Sequence, residues 1–130
     1  DGTIVARVTG LTNTNAWAKA GIMIRESLDA NARNVALLLK PSNAISFQTR
    51  SAASGSTSIV TSKAATVPQW VKLVRAGNQF SAYLSADGVT WTLVGSTSNA
   101  MATTAYVGLA VTSHDSTLLN TATFDKVTVK

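Results

Sequence analysis

Apolar and polar residues alternate along most of this 130-residue chain, and no stretch holds a helical period. From Thr3 to Leu11 one face carries Ile4, Ala6 and Val8 and the other carries Val5, Arg7 and Thr9. That period of two places successive side chains on opposite sides of a strand. Asn13, Thr14 and Asn15 end it. Ala20 to Leu28 predicts a second strand, apolar on both faces until Arg25 and Glu26, with a polar turn over Asp29 to Arg33. The run from Asn34 to Lys40 could open a helix, but Pro41 stops it after a few residues, so a buried strand is predicted. Ala44 to Arg50 sets Ile45, Phe47 and Thr49 against Ser46, Gln48 and Arg50. The Ser/Ala/Thr-rich stretch from Ser51 to Thr66 reads as loop, a weak edge strand around Ile59 and Val60, then loop.

In the second half, Trp70–Ala76, Gln79–Ser85 and Thr90–Ser96 predict a three-stranded meander. Its joints are Gly77-Asn78 and Asp87-Gly88, dipeptides that accept positive φ at little steric cost. Ala105–Ser113 and Thr121–Val129 supply two closing strands. About ten short strands with regular turn signals predict an all-β fold, an antiparallel two-sheet sandwich or jelly roll forming one domain over residues 1–130.

Composition narrows the setting. Charged residues make up 13% of the chain, against roughly 25% in ordinary globular domains, and Ser, Thr, Ala and Asn take their place. This balance suits a secreted or cell-surface β protein. The chain has no cysteine, which excludes a disulfide framework and a thiolate metal site. No apolar run approaches the ~18 residues of a membrane span, so no membrane insertion is expected. The net charge of +5 favours acidic partners, yet the basic residues are scattered singly, which argues against nucleic acid. The chain opens on Asp1 without Met or signal peptide, and so reads as processed or cut from a longer polypeptide.

Catalysis finds little support. His114 is the one imidazole, and its neighbour Asp115 would point to the opposite face of a strand, badly placed to orient it. No G-x-S-x-G elbow occurs. Of the six carboxylates, no two lie at i and i+2 on one strand, as facing glycosidase carboxylates would. No cofactor is expected. Calcium is the one ion left open, with Asp1, Asp29, Asn31 and Asp115 as candidates; without a dense Asp/Asn loop, solvated loop residues are the favoured reading.

Binding chemistry is better represented. Arg25, Gln48, Arg50, Lys72, Tyr83 and His114 fall where a half-covered sheet would face water. Aromatic rings suit the C–H faces of sugars, and planar polar groups suit their hydroxyls. Arginine forks, here Arg25, Arg50 and Arg75, would read a uronate or sulfate bidentately; the alternative is that Arg25 and Arg75 pair with Glu26 or Asp87 and brace the fold. Among the tryptophans, Trp91 alternates with Leu93 and reads as core, Trp70 as half-exposed, and Trp17 as the one most available to a ligand.

Five segments carry a resemblance. Trp17–Ser27 (WAKAGIMIRES) resembles the W-x-K-A-G-[VIL]-M-[IV]-R-E-S segment of an uncharacterised bacterial extracellular domain family in the concanavalin A-like lectin/glucanase and laminin G-like jelly-roll group. Trp70–Asn78 is similar to its W-[VL]-[KR]-L-x-R-x-G-N, and Ser85–Trp91 to its S-x-D-G-x-T-W; Val107–His114 and Ala122–Val127 complete the match. The resemblance implies a two-sheet jelly roll and a non-catalytic carbohydrate-binding accessory role in a secreted bacterial protein, with a polysaccharide or surface glycan as partner. Carried over by position, Arg25, Glu26, Arg75 and His114 match the family's recurrent polar positions; with Gln48, Arg50 and Tyr83 they make the expected ligand-binding set. Family members have a further strand region upstream of the segment matching Asp1-Gly2-Thr3. Either the boundary here falls late or a sheet edge is left open, and an open edge brings the alternative of an adhesive or structural subunit that self-associates through it.

Overall fold

The alternation turns into pairing in the computed structural model, which describes all 130 residues. Ten strands form in chain order: β1 (Gly2–Leu11), β2 (Lys19–Arg25), β3 (Asn34–Lys40), β4 (Ala44–Arg50), β5 (Ser58–Ala64), β6 (Gln69–Ala76), β7 (Gln79–Ser85), β8 (Thr92–Ser98), β9 (Tyr106–Thr112) and β10 (Ala122–Val129). They assemble into two five-stranded antiparallel sheets. The front sheet has the order β10-β1-β6-β7-β8 and the back sheet the order β5-β4-β3-β2-β9. There is no helix.

The period of two decides what lies between the sheets. Ile4, Ala6 and Val8 of β1 are fully buried, and so are Val71 and Leu73 of β6 and Phe80 and Ala82 of β7. Ile22, Val35, Leu37, Ile45 and Phe47 meet them from the back sheet. Each large side chain so enclosed contributes about 1.5–3 kcal/mol. β3 is apolar on both faces because it is central: Ala36 and Leu38, on its outer side, are also buried.

Two expected boundaries move for identifiable reasons. β2 stops at Arg25, three residues early, because its guanidinium folds back onto the carbonyls of Ser27 and Asp29. β8 begins at Thr92 rather than Thr90 because the Thr90 amide is bound to the Asp87 carboxylate. Asp87-Gly88 therefore sits inside a longer connection, whereas Gly77-Asn78 is the two-residue hairpin expected, with Ala76 opposite Gln79.

The sandwich is not closed equally on its two sides. At one side β5 and β8 meet, and Lys63 Nζ donates to the carbonyl of Leu93 at 3.1 Å. At the other side β9 and β10 stand apart. Val107, Leu109 and Val111 of β9 pair with Ile24, Ile22 and Ala20, which places them on the inner face. They are nevertheless 42–47% exposed, and Val127 and Val129 of β10 are 44% and 55% exposed. Edge strands differ too. β5, β8 and β10 each carry register breaks against their neighbours, while β9 matches β2 through seven unbroken positions.

Candidate ligand-binding face

The outer face of the front sheet collects the aromatic and cationic side chains that its strands turn away from the core. β6 contributes Trp70 and Lys72, which alternate with buried Val71 and Leu73. Register sets Lys72 opposite Tyr83 of β7 and Arg7 of β1 opposite Trp70. Trp91, from the β7–β8 connection, meets Trp70 edge to face with ring centroids 6.5 Å apart. The Lys72 ammonium lies 4.3 Å from the Trp91 ring centroid and 4.7 Å from that of Tyr83. Arg7 lies 5.9 Å from the Trp70 ring and forms a two-pronged ion pair with Asp125 of β10. Of these, Trp70, Lys72 and Trp91 border an open groove of about 490 Å³ together with Thr3, Val5, Gly88, Lys126, Thr128 and Lys130, while Tyr83 adjoins it through Lys72 and Arg7 through Trp70.

The local sequence holds the rings in place. Ser85 is buried, and its hydroxyl accepts the amides of Asp87 and Gly88. Asp87 Oδ1 accepts the amides of Thr90 and Val89 and the Ser85 hydroxyl, and these bonds hold its carboxyl below the usual carboxylate range. Gly88, at φ +77°, packs under the Trp70 indole. The turn thus presents Trp70 and Trp91 together. Asp125 is likewise held low, first by its hydrogen bond to Arg7.

Of the seven residues expected to bind ligand, Tyr83 is the one on this face. Arg25, Gln48 and Arg50 lie on the outer face of the back sheet, on the opposite side of the molecule. Arg25 donates to the carbonyls of Ser27 and Asp29 and contacts the Met23 sulfur; Arg50 donates to the carbonyl of Ala30 at 2.7 Å. Both pin the β2–β3 connection. Gln48 bonds to the Ser46 hydroxyl. Glu26 accepts the Ala102 amide at 2.9 Å and sits 3.6 Å from Arg33, joining two loops. Arg75 is 8% exposed and donates to the carbonyls of Gly77 and Met101, so its fork is spent inside the fold. Neither Arg25 nor Arg75 pairs with a carboxylate; both brace the chain through carbonyls instead. His114 is exposed, but it lies in the β9–β10 connection at φ +55°, off any strand face. One shared face for Arg25, Tyr83 and His114 is not what the structure builds.

Trp91 is the residue that sequence reasoning misplaced. Its alternation with Leu93 suggested core, but Leu93 is 50% exposed and Trp91 is half-buried on the outside. The available signal was Lys72 and Tyr83, two outward residues one strand apart in the same meander. Trp17, at 54% exposed, is the most exposed tryptophan, as expected, and lies beside Lys40 and Lys19 at the rim of the back sheet. The oxygen ligands weighed for calcium do not converge. Asp1 accepts the Gly77 amide, Asn31 bonds Ser54, and Asp115 accepts the hydroxyl and amide of Thr117.

No protein-family model matches the chain, and no curated protein sequence matches it. Solved structures do. The GH43 protein BlXynB from Bacillus licheniformis aligns over 98% of this chain and 27% of its own, with a TM-score of 0.78 and 19% identity. A functionally unknown protein from Saccharomyces cerevisiae aligns over 99% of this chain and 68% of its own, with a TM-score of 0.74 and 17% identity. The carbohydrate binding module CBM66 from Bacillus subtilis aligns over 100% of this chain and 74% of its own, with a TM-score of 0.65 and 17% identity. This chain therefore spans about a quarter of the GH43 protein's length, and what it shares with all three is the two-sheet β-sandwich.

Proposed function

We propose that the chain is a non-catalytic carbohydrate-binding module of a secreted or surface protein, and that it holds an acidic polysaccharide along the front-sheet groove. The observation that carries this reading is the placement of Lys72 between the rings of Trp91 and Tyr83, with Trp70 alongside. Three rings on one face offer flat apolar surface to sugar C–H groups, each worth about 0.5–1.5 kcal/mol beyond simple burial in comparable ring contacts. Lys72, Lys126 and Lys130 supply positive charge where a uronate or sulfate would lie, and the Arg7–Asp125 pair offers a donor and an acceptor for hydroxyls. The kinship in fold with a carbohydrate binding module supports the same reading. Against turnover stands the carboxylate inventory of the face. Asp125 is held by Arg7 and Asp87 by its turn, whereas glycoside hydrolysis needs two carboxyl groups facing across roughly 5–10 Å.

Affinity electrophoresis through gels containing neutral or acidic polysaccharides tests the proposal. Retardation by acidic gels, relieved by salt and weakened about tenfold in Trp91→Ala, Tyr83→Ala or Lys72→Ala, is the expected result, a loss of about 1.4 kcal/mol. Arg25→Ala should leave retardation unchanged. Free migration of the wild-type chain through every gel would overturn it.

A further inference from the structure

Strand β9 combines features that edge strands of stable monomers avoid. Three of the four edges in this sandwich are interrupted by bulges, which twist an edge away from pairing. β9 has none, and its sequence Tyr106–Thr112 contains no charge and no proline. Its outward row of backbone N–H and C=O groups is therefore an intact template. Beneath it lies the open side of the sandwich, where Val107, Leu109, Val111, Val127 and Val129 remain about half exposed despite their inward direction.

The spacing of β9 is close to palindromic. Val107, Leu109 and Val111 alternate with Gly108 and Ala110. A two-fold axis through Leu109 would set Val107 against Val111 of a second copy, Gly108 against Ala110, and Leu109 against itself. Large meets large and small meets small, in the self-complementary manner of an isologous contact. The net charge of +5 does not oppose it locally, because β9 carries none of that charge. Tyr106, 52% exposed and opposite Arg25, adds an exposed ring on the outer side of the same edge. Val107, Leu109, Val111, Val127 and Val129 together leave on the order of a few hundred Å² of apolar surface beside this edge, the size of patch that is often functional.

We infer that the chain forms a two-fold dimer by antiparallel pairing of β9 with β9 of a second copy, joining the two back sheets into one of ten strands. The inference is independent of glycan binding, since the front-sheet groove takes no part in the pairing and its variants leave the mass unchanged.

Sedimentation equilibrium between micromolar and near-millimolar concentration, combined with cysteine cross-linking, tests it. The chain has no native cysteine, so introduced thiols report cleanly. Opposed residues in antiparallel strands bring Cα atoms within about 4.5–5.5 Å, inside disulfide range. Leu109→Cys should therefore cross-link to itself under mild oxidation. Val107→Cys alone should not, because two such residues stand about 14 Å apart along the strands, but the Val107→Cys, Val111→Cys double variant should. Leu109→Lys should weaken the dimer at least about tenfold while its circular dichroism stays unchanged. A wild-type mass that remains monomeric throughout, equal cross-linking of Leu109→Cys and Val107→Cys, or a dimer indifferent to Leu109→Lys would overturn the inference.

Discussion

Gly88 lies flat against the indole of Trp70: a Cβ at that position would come within 2.7 Å of a ring carbon. The same glycine has φ +77°, where an L side chain is strained. Gly88→Ala thus combines backbone strain with a clash at the ring that lines the groove. A loss of about 2 kcal/mol is expected, together with a changed tryptophan emission and weaker glycan retardation. Chemical denaturation followed by fluorescence reads the first two directly, and a wild-type-like denaturation curve would contradict the packing described.

Asp87 gives the fold an acid sensitivity. The amides of Thr90 and Val89 and the Ser85 hydroxyl favour its ionised form in the folded chain. Folded Asp87 therefore keeps its charge to lower pH than the unfolded chain does. Its contribution is present in full above the unfolded value, about pH 4, and disappears as pH falls through the lower folded value. Melting temperature should fall as pH drops below about 4, with Asp115 and Asp125, held low by their own hydrogen bonds, acting in the same direction. Asp87→Asn should flatten that slope and lower the melting temperature at neutral pH, measured by thermal denaturation across a pH series.

Arg75 holds two carbonyls, those of Gly77 and Met101, from within the fold, and its guanidinium carbon lies 5.3 Å from the Phe80 ring centroid. Arg75→Ala leaves both acceptors short of a charged donor and empties packed space. A destabilisation of about 2–3 kcal/mol in urea titrations is expected, with glycan retardation of the folded fraction unchanged. A variant of wild-type stability that lost retardation would instead make Arg75 a ligand contact.

Gly21 is required for another reason. A Cβ there would sit 2.0 Å from the carbonyl oxygen of Leu37 and 2.9 Å from the Cα of Leu38, both backbone atoms of the adjacent central strand. Because β3 cannot yield without disturbing its ladder to β4, Gly21→Ala should cost about 3 kcal/mol, read by denaturant titration. It should leave the front face alone, since β2 lies in the back sheet.

The architecture was legible because both halves of the signal agreed. At β1 and β4 the apolar alternation named the buried residues, at β3 an unbroken apolar run did, and Pro41 or the polar loops named the ends. The site was less legible, since a period of two says that a residue faces out but not from which sheet. Arg25 and Tyr83 are both outward, yet they belong to opposite faces of the molecule because β2 and β7 fall in different sheets. Arg75 misled for a different reason. It continues the inward phase of Val71 and Leu73 to the very end of β6, where a charged residue can be buried if loop carbonyls from Gly77 and Met101 receive it. Trp91 stands in a connection whose path is set by Asp87 capping two amides, which no strand periodicity encodes.

The place of β1 in the front sheet bears on how the protein folds. It is an interior strand, flanked by β6 and β10, and Thr3 exchanges both backbone hydrogen bonds with Lys130 at 2.8 and 2.9 Å. Its ladder with β10 joins residues more than a hundred positions apart, from Ile4 with Val129 to Leu11 with Ala122, and so closes the longest loop in the sheet. Pairings this distant in sequence are characteristic of β-sandwiches that fold in milliseconds to seconds. That flank of β1 is accordingly the costliest to zip, and it is gained most readily once the strands between have drawn β1 and β10 together.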